Sequence, residues 1–576
     1  MLVLGLHMEH ESSVALIRDG VIVGALSQER ISRVKKDGFF SDKTIDYFLE
    51  SHGVRLYDID FVAMGAFWRG SGVRVFVKNR QNSFNIDRRN GELYDMGWET
   101  MYPWLYDTLE NPEQKYWIDV DVRIHSHNIP GAIINHHVAH AAAAYYTSDF
   151  DKAAICTIDA SATGAPFPES SSLYMYGDGD FLYKLTTPGC MVATFYDYIC
   201  EHIGLGSGLF KAGSMMGLAP YGVPKDISKY EDQLTCSFYD RKWHKRSDHE
   251  FLTWVWKILS GYSHEQKFKQ EYSDSQEAMD LAATAQYVYE KSVTKVLDDL
   301  YDFTEQFNDG NLCLSGGSFL NCSFNGKYIS ENKKWNNVHL MPACGDDGIS
   351  IGSALYAIHN ILKVPRAKTQ RKDIMYTGPS YEPVDFEWHA KEEIDTDYKN
   401  LAEYIERGNV VAWYNGRSEF GPRALGNRSF LANPMITEMR DHINQNIKNR
   451  EWFRPFAPMV LADKASEYFE IEDESPFMLR AVKAKEHSLD LIPSVIHVDG
   501  TSRVQTVTDD DNPEICKLLR AFQSKTGIPV ILNTSLNAGG YPLVETPQHT
   551  FELFTMLEHV NVLAMNGTLY LKDNLK

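Results

Sequence analysis

Leu2-Val3-Leu4-Gly5-Leu6, then Ser13-Val14-Ala15-Leu16-Ile17-Arg18-Asp19-Gly20-Val21-Ile22-Val23-Gly24-Ala25-Leu26, opens the chain with one apolar run and two more joined through Asp19-Gly20. Asp-Gly between apolar runs is a strong hairpin signal, because both residues tolerate the positive φ that a two-residue turn needs. The same plan recurs downstream. Ala153 to Ile158 reads as a strand ending at Asp159, and Ser172-Leu173-Tyr174-Met175-Tyr176 turns through Gly177-Asp178-Gly179-Asp180 into Phe181 to Leu185. Strand, polar turn and hairpin, met twice, predict two related α/β halves with a cleft between them.

Between Gln276 and Phe307 the apolar spacing is helical, Leu312 to Leu314 is a short strand, and Ile349 to Leu362 is helix-like. Val364-Pro365-Arg366-Ala367-Lys368-Thr369-Gln370-Arg371-Lys372 is polar, basic and begins beside Pro, the best linker in the chain. It separates residues 1–365 from a second domain over 373–576. That domain alternates strands (Val410 to Trp413, Pro529 to Leu532) with helices and closes on a hairpin through Asn566-Gly567.

The chain has 576 residues, more than a single core accommodates. A composition of 43% hydrophobic and 23% charged residues is that of a globular protein. No run of eighteen apolar residues is present, so no membrane partner is expected, and the N-terminus reaches His7 and Glu9 too soon for a signal peptide. A cytoplasmic location is the expectation. The net charge of −21 argues against nucleic acid as a partner. Eight cysteines with no C-x-x-C pair indicate neither a disulfide framework nor a zinc module.

Several constellations carry chemistry. His136 and His140 stand four apart at the head of an Ala-rich helical stretch, so both imidazoles leave one face. The pair reads as two surface histidines or as a metal chelate that Asp159 and Asp346 complete. Asp346 reads equally as a helix N-cap. Two His with two Asp suit Fe(II), Mn(II) or Zn(II) alike. Leu314-Ser315-Gly316-Gly317-Ser318-Phe319-Leu320-Asn321 is a strand, a Gly pair and a helix start, either an ordinary turn or a place where amides approach phosphate. Lys211 to Gly222 reads as a packed, glycine-punctuated loop. Arg423 and Arg428 fall in a Gly/Pro loop, Lys448, Arg450 and Arg454 in an aromatic-rich stretch, and Arg503, Asn533 and Ser535 follow. Arginine forks interleaved with apolar residues point to a phosphate-bearing ligand.

Taken together, Glu419-Phe420-Gly421-Pro422-Arg423-Ala424-Leu425-Gly426-Asn427-Arg428-Ser429, Arg454-Pro455-Phe456-Ala457-Pro458 and Met216-Gly217-Leu218-Ala219-Pro220-Tyr221-Gly222 resemble the nodulation and antibiotic O-carbamoyltransferase family, over nearly the whole chain. The resemblance implies an actin-like (ASKHA, threonylcarbamoyl-transferase-type) N-terminal domain and a YrdC-like α/β C-terminal domain. It implies that the second domain forms carbamoyl adenylate from carbamoyl phosphate and ATP with Mg2+, using Arg423, Lys448, Arg454, Arg503, Asn533 and Ser535. It further implies a divalent ion, Fe2+, on His136, His140, Asp159 and Asp346, and a nucleotide loop at Gly316, Gly317 and Asn321. His10, in His10-Glu11-Ser12-Ser13, becomes the general base that activates a hydroxyl of a small-molecule acceptor, against the plainer reading of a turn histidine.

Two departures stand out. Glu11 follows His10 where the family has Asp, and Ala212-Gly213-Ser214 replaces the common Glu-Gly-Lys, leaving Lys211 displaced. The acceptor is expected within Phe67 to Pro130, dense in Trp68, Arg69, Trp98, Tyr102, Trp104 and Tyr106, a stretch that reads equally as a packed insertion. Competing functions are a fusion for tRNA threonylcarbamoyl-adenosine synthesis, which lacks a basic surface here, and a non-catalytic nucleotide sensor, which has no use for the arginines.

Overall fold

The computed structural model describes residues 1–67, 70–77, 116–159, 171–188, 190, 192–226, 274–573 and 575. Leu2–Met8 pairs antiparallel with Ser13–Arg18, which pairs antiparallel with Val21–Ser27. The turn between the last two has Asp19 at φ 50° and Gly20 at φ 85°, as a two-residue hairpin requires. On its other edge Leu2–Met8 runs parallel to Phe61–Phe67, and that strand parallel to His127–Ile134. The second sheet repeats the plan. Lys152–Ile158 pairs antiparallel with Ser172–Asp178, and that with Phe181–Thr186, while Asn311–Ser315 and Asn337–Leu340 add in parallel. This duplicated order is the pair of related α/β halves that the two hairpins in the sequence predict, and it agrees with the actin-like fold that the resemblance implies.

Antiparallel strands Trp117–Ile124 and Val73–Val77 extend the first sheet. They take up part of the stretch expected to bind the acceptor. Trp68, Arg69, Trp98, Tyr102, Trp104 and Tyr106 lie outside the described residues.

Two short helices, His136–Tyr146 and Ile349–Tyr356, fill the space between these sheets, and every residue of the second is buried. Small residues make the approach possible. A Cβ on Gly352 would stand 1.9 Å from Ala139 O, and one on Gly5 would stand 2.0 Å from Ser350 O. Past Tyr356 the helix expected to reach Leu362 widens into a π-helical turn over Ala357–Ile361.

One sequence expectation is corrected. Lys211 to Gly222 is not a loop: Gly208–Leu218 is an α-helix followed by a 3₁₀ turn, Ala219–Tyr221. Gly217 serves packing, since a Cβ there would lie 3.2 Å from Pro455 Cδ, and this contact outweighs the poor helix propensity of glycine. The linker expected over Val364 to Lys372 has no helix or strand before Arg371, and it is anchored along its length. The Arg366 guanidinium donates to Tyr145 O (2.8 Å), Phe150 O (2.6 Å) and Ser148 O, and Arg371 is paired with Asp511 and Glu474.

The C-terminal domain is an α/β body on an eight-stranded mixed sheet, the α/β class that the resemblance implies. Its order is Lys391–Glu393, Thr568–Leu571, Val562–Met565, Val411–Tyr414, Arg428–Ala432, Val530–Ser535, Ala457–Leu461 and Gln505–Val507. One buried carboxylate shapes its arginine loop: Glu419 Oε1 accepts the amides of Leu425 (2.8 Å), Asn427 (2.7 Å) and Arg428 (3.1 Å). Arg428 is buried over the Tyr414 ring and donates to backbone carbonyls, including Asn415 O at 2.6 Å, so its role is to hold the loop. Arginines also tie the two domains together. Arg30 donates to Glu419 O and Gly421 O (both 3.2 Å), Arg33 to Leu543 O (2.6 Å), and Arg417 back to Val23 O (2.8 Å). Among the described residues no helix is long and apolar enough to cross a membrane.

Gly352→Ala is expected to cost about 3 kcal/mol or more in urea unfolding, because backbone on the facing helix has to move. A loss below about 0.5 kcal/mol would show that the helices are not in forced contact.

Candidate functional site

The parallel strands of both N-terminal sheets end at one cleft, and the residues just past those ends converge there. His136 and His140 come from the helix after His127–Ile134, Asp159 follows Lys152–Ile158, and Asp346 lies beyond Asn337–Leu340 in a 3₁₀ turn. One ligand atom from each of the four lies within 4.8 Å of the others. His140 Nε2 stands 3.0 Å from Asp159 Oδ2 and 3.4 Å from Asp346 Oδ1, and His136 Nε2 is also 3.4 Å from Asp346 Oδ1. The far nitrogen of His140 lies 3.3 Å from Ser315 Oγ, which fixes the ring as a ligand histidine usually is fixed.

The charges describe the same set. Burial alone would lower the His136 pKa, yet Asp346 and Asp159 outweigh it and raise it to about 9. Burial likewise pushes Asp346 up, but His136 and its neighbours more than offset it and hold the carboxyl at about 2. Two buried carboxylates thus demand positive charge beside them. Protons on the imidazoles would supply it, and a divalent cation with neutral imidazoles would supply it equally, so the donor set fits a metal.

The second oxygen of Asp346 serves another pair. Asp346 Oδ2 is 3.1 Å from His10 Nδ1 and 3.7 Å from His7 Nε2. His7 is fully buried, and burial pushes its pKa down to about 3. Sequence reading missed it; the sign was its place at the end of the first strand, three residues before His10. His10 itself is half-exposed to the cleft. Glu11, the departure from the family's Asp, pairs with Lys36 at 2.6 Å.

The sequence-selected cations gather in a separate cavity of about 980 Å³. Arg423, Lys448, Arg450, Arg454, Arg503 and Ser535 line it from the C-terminal domain, and Lys35 and Lys211 from the N-terminal one. The two N-terminal lysines were not selected from sequence, because their contribution depends on how the domains dock. Arg423 Nε, Arg450 Nη2 and Arg503 Nε are buried without hydrogen bonds. Burial, with Arg503 adding to it, pushes the Arg423 pKa down to about 9, and burial drives Lys448 well below its ordinary value. So much desolvated positive charge calls for a polyanion. Asn533 lies beneath the cavity rather than on its wall, its amide donating to Ala424 O (3.0 Å) and Gln505 Oε1 (2.8 Å).

The Gly316-Gly317 turn joins the two places. Gly317 N donates to Asp159 Oδ2 (3.1 Å), Gly316 N to Cys344 O (2.9 Å), and Leu320 O accepts from Arg423 Nη2 (3.2 Å). Asn321 caps the next helix and donates to Gln286 Oε1 (3.0 Å). The amides of Gly316 and Gly317 are therefore spent on protein oxygens in this structure.

Residues 2–355 match the family described as carbamoyltransferase N-terminus, and residues 402–572 match carbamoyltransferase C-terminus. Nodulation protein NolNO of Sinorhizobium fredii is 33% identical over 93% of this chain and 75% of its own length. Nodulation protein U of the same organism is 26% identical over the full length of both. A 3'-hydroxymethylcephem-O-carbamoyltransferase of Amycolatopsis lactamdurans is 36% identical over 40% of this chain and 43% of its own.

The protein as purified is expected to carry about one equivalent of divalent metal, and His140→Ala to lose most of it, since one ligand of four is removed. Metal content measured by plasma mass spectrometry that does not change in this variant would place the ion elsewhere.

Proposed function

This chain belongs to the carbamoyltransferase family, and from that premise we propose that it is an ATP-dependent O-carbamoyltransferase acting on a small-molecule alcohol or saccharide. The observation that carries the reading is the pairing, in one chain, of an arginine-lined cavity with a His/Asp cluster that holds His10 on the same carboxylate.

In the cavity, Arg423, Arg454 and Arg503 bind phosphate oxygens, and Lys448 with Ser535 lies on the same wall. Carbamoyl phosphate loses its phosphate to water there, leaving carbamate. The carbamate oxygen attacks the α-phosphorus of ATP, with Mg2+ as the nucleotide's counter-ion, giving carbamoyl adenylate and pyrophosphate. At the cleft, the acceptor hydroxyl attacks the carbamoyl carbon and AMP leaves with the bonding pair. A divalent ion held by His136, His140, Asp159 and Asp346, Fe2+ by the family resemblance, would neutralise charge on the adenylate phosphate. His10 moves the proton: the Asp346 carboxylate, 3.1 Å from Nδ1, favours positive charge on the ring as it takes the hydroxyl proton. The neighbouring Gly316, Gly317 and Asn321 act by holding Asp159 and the adjoining helix in place rather than by offering free amides.

Arg454→Ala is expected to cut carbamoyl-phosphate-dependent pyrophosphate release by at least about 30-fold, the loss of one charged partner, while transfer from supplied carbamoyl adenylate persists. Equal loss of both would refute the division of labour. No pyrophosphate release either with or without carbamoyl phosphate would favour the non-catalytic nucleotide sensor instead. His10→Asn retains hydrogen-bonding size without a basic nitrogen. It is expected to leave adenylate formation near normal and to slow transfer by about 10²- to 10⁴-fold, as rapid-quench assays of each half-reaction would show. Transfer surviving within a few-fold would move the base to another residue.

A further inference from the structure

Within the arginine cavity one contact runs against the local charge. Lys211 reaches in from the Gly208–Leu218 helix of the N-terminal domain, and its Nζ stands 2.5 Å from Oε1 of Glu451, which belongs to the C-terminal wall. Glu451 is one of two acids among the described lining residues, and the other, Asp274, accepts the indole N–H of Trp452 at 3.2 Å. The second oxygen of Glu451 lies 3.7 Å from Arg454 Nη1. Ser214, one helical turn after Lys211 on the same face, accepts from that Arg454 nitrogen at 2.6 Å. Burial pushes the Glu451 carboxyl up, but the Lys211 hydrogen bond and the Arg454 charge more than offset it and hold it below its ordinary value.

We propose that Lys211 is a further phosphate-binding residue of this cavity, supplied by the opposite domain, and that Glu451 is a resident counter-ion which an incoming phosphoanhydride displaces from Lys211 and Arg454. The inference rests on reading the cavity as the nucleotide site. A phosphoanhydride and a carboxylate compete for the same two cations, because each offers oxygens of matching spacing and charge. With no anion bound, Glu451 spares Lys211 and Arg454 the cost of facing each other uncompensated. When phosphate enters, the carboxylate yields its place, and the N-terminal helix becomes tied through Lys211 to the ligand instead of to the C-terminal wall. Ser214 keeps Arg454 aimed inward in both states. The displaced lysine of the sequence, one turn before Ser214, thus brings its charge to the cavity from another position on the same helix.

The two halves of the proposal have opposite signs, which makes them testable together. Inorganic pyrophosphate is titrated into the full-length protein by calorimetry. Lys211→Ala is expected to weaken binding by about tenfold, one charge-assisted contact, and Lys211→Arg to stay near the unaltered protein. Glu451→Gln, which retains size and removes the competing charge, is expected to tighten binding by roughly three- to tenfold. Lys211→Ala within twofold of the unaltered protein, or Glu451→Gln binding more weakly, overturns the assignment while leaving the cavity's function standing. No pyrophosphate binding by the unaltered protein overturns the nucleotide reading itself. A circular dichroism melt that matches across the set excludes unfolding as the source of any loss.

Discussion

Backbone-to-backbone contact between the His136–Tyr146 and Ile349–Tyr356 helices is the constraint on which the molecule turns. Gly352 lies against Ala139 O, and Gly5 of the first strand lies against Ser350 O, so helix, helix and sheet meet with no side chain between them. Any residue larger than glycine at those points would hold the elements apart by more than an ångström. Separation on that scale would matter chemically, because Asp346 enters from the turn leading into one helix and His136 and His140 from the first residues of the other. The 3.4 Å distances from Asp346 Oδ1 to both imidazoles are a consequence of close packing in the core.

The two sites are built on opposite electrostatic plans. In the cleft, buried carboxylates are balanced within the protein by histidines, and the group stands near neutrality. In the cavity, lysines and arginines are gathered with one close carboxylate, Glu451, and several guanidinium nitrogens remain unbonded. That imbalance is stable only because the scaffold around it is rigid. Glu419 ties three amides of the arginine loop, and Arg30, Arg33 and Arg417 lock the domains through backbone carbonyls rather than through salt bridges that water screens. Stored repulsion among the cations is then available to an anion that enters.

Much of this was legible in the sequence where the code is local. The Asp19-Gly20 and Asn566-Gly567 hairpins follow from two residues each, and both show the paired positive φ values. The His136/His140 spacing gave the chelating face, because a helix fixes the direction of residues four apart. Reading failed where a distant partner decides. Glycines in Lys211 to Gly222 suggested a loop, but the segment is a helix that buries Met215, Met216 and Leu218, with Gly217 set close to Pro455 of the other domain. The linker after Val364 was legible, but not that Arg366 would anchor it on three carbonyls near residue 148. Lys35 and Lys211 carry no local sign of their role, since only domain docking places them on a wall with Arg454. His7 was hidden by its strand, where an apolar pattern made a core position the natural reading.

Asp346 and the Ser315–Asn321 segment explain why the cleft and the cavity behave as parts of one machine. Asp346 shares its two oxygens between the His136/His140 pair and the His7/His10 pair, so any shift in the cluster turns the imidazole of His10 as well. From the same cluster, Ser315 touches His140, Gly317 holds Asp159, and Leu320 accepts Arg423 from the cavity wall, all within six residues of one short turn. A turn so short and so fully bonded transmits displacement instead of absorbing it. Movement of Arg423 toward a bound anion would be felt at Asp159 through Leu320 and Gly317. The path is two hydrogen bonds, Arg423 to Leu320 O and Gly317 N to Asp159, joined by the backbone between Gly317 and Leu320. Two sites of opposite charge therefore sit in one chain, joined by one short turn whose backbone atoms touch both.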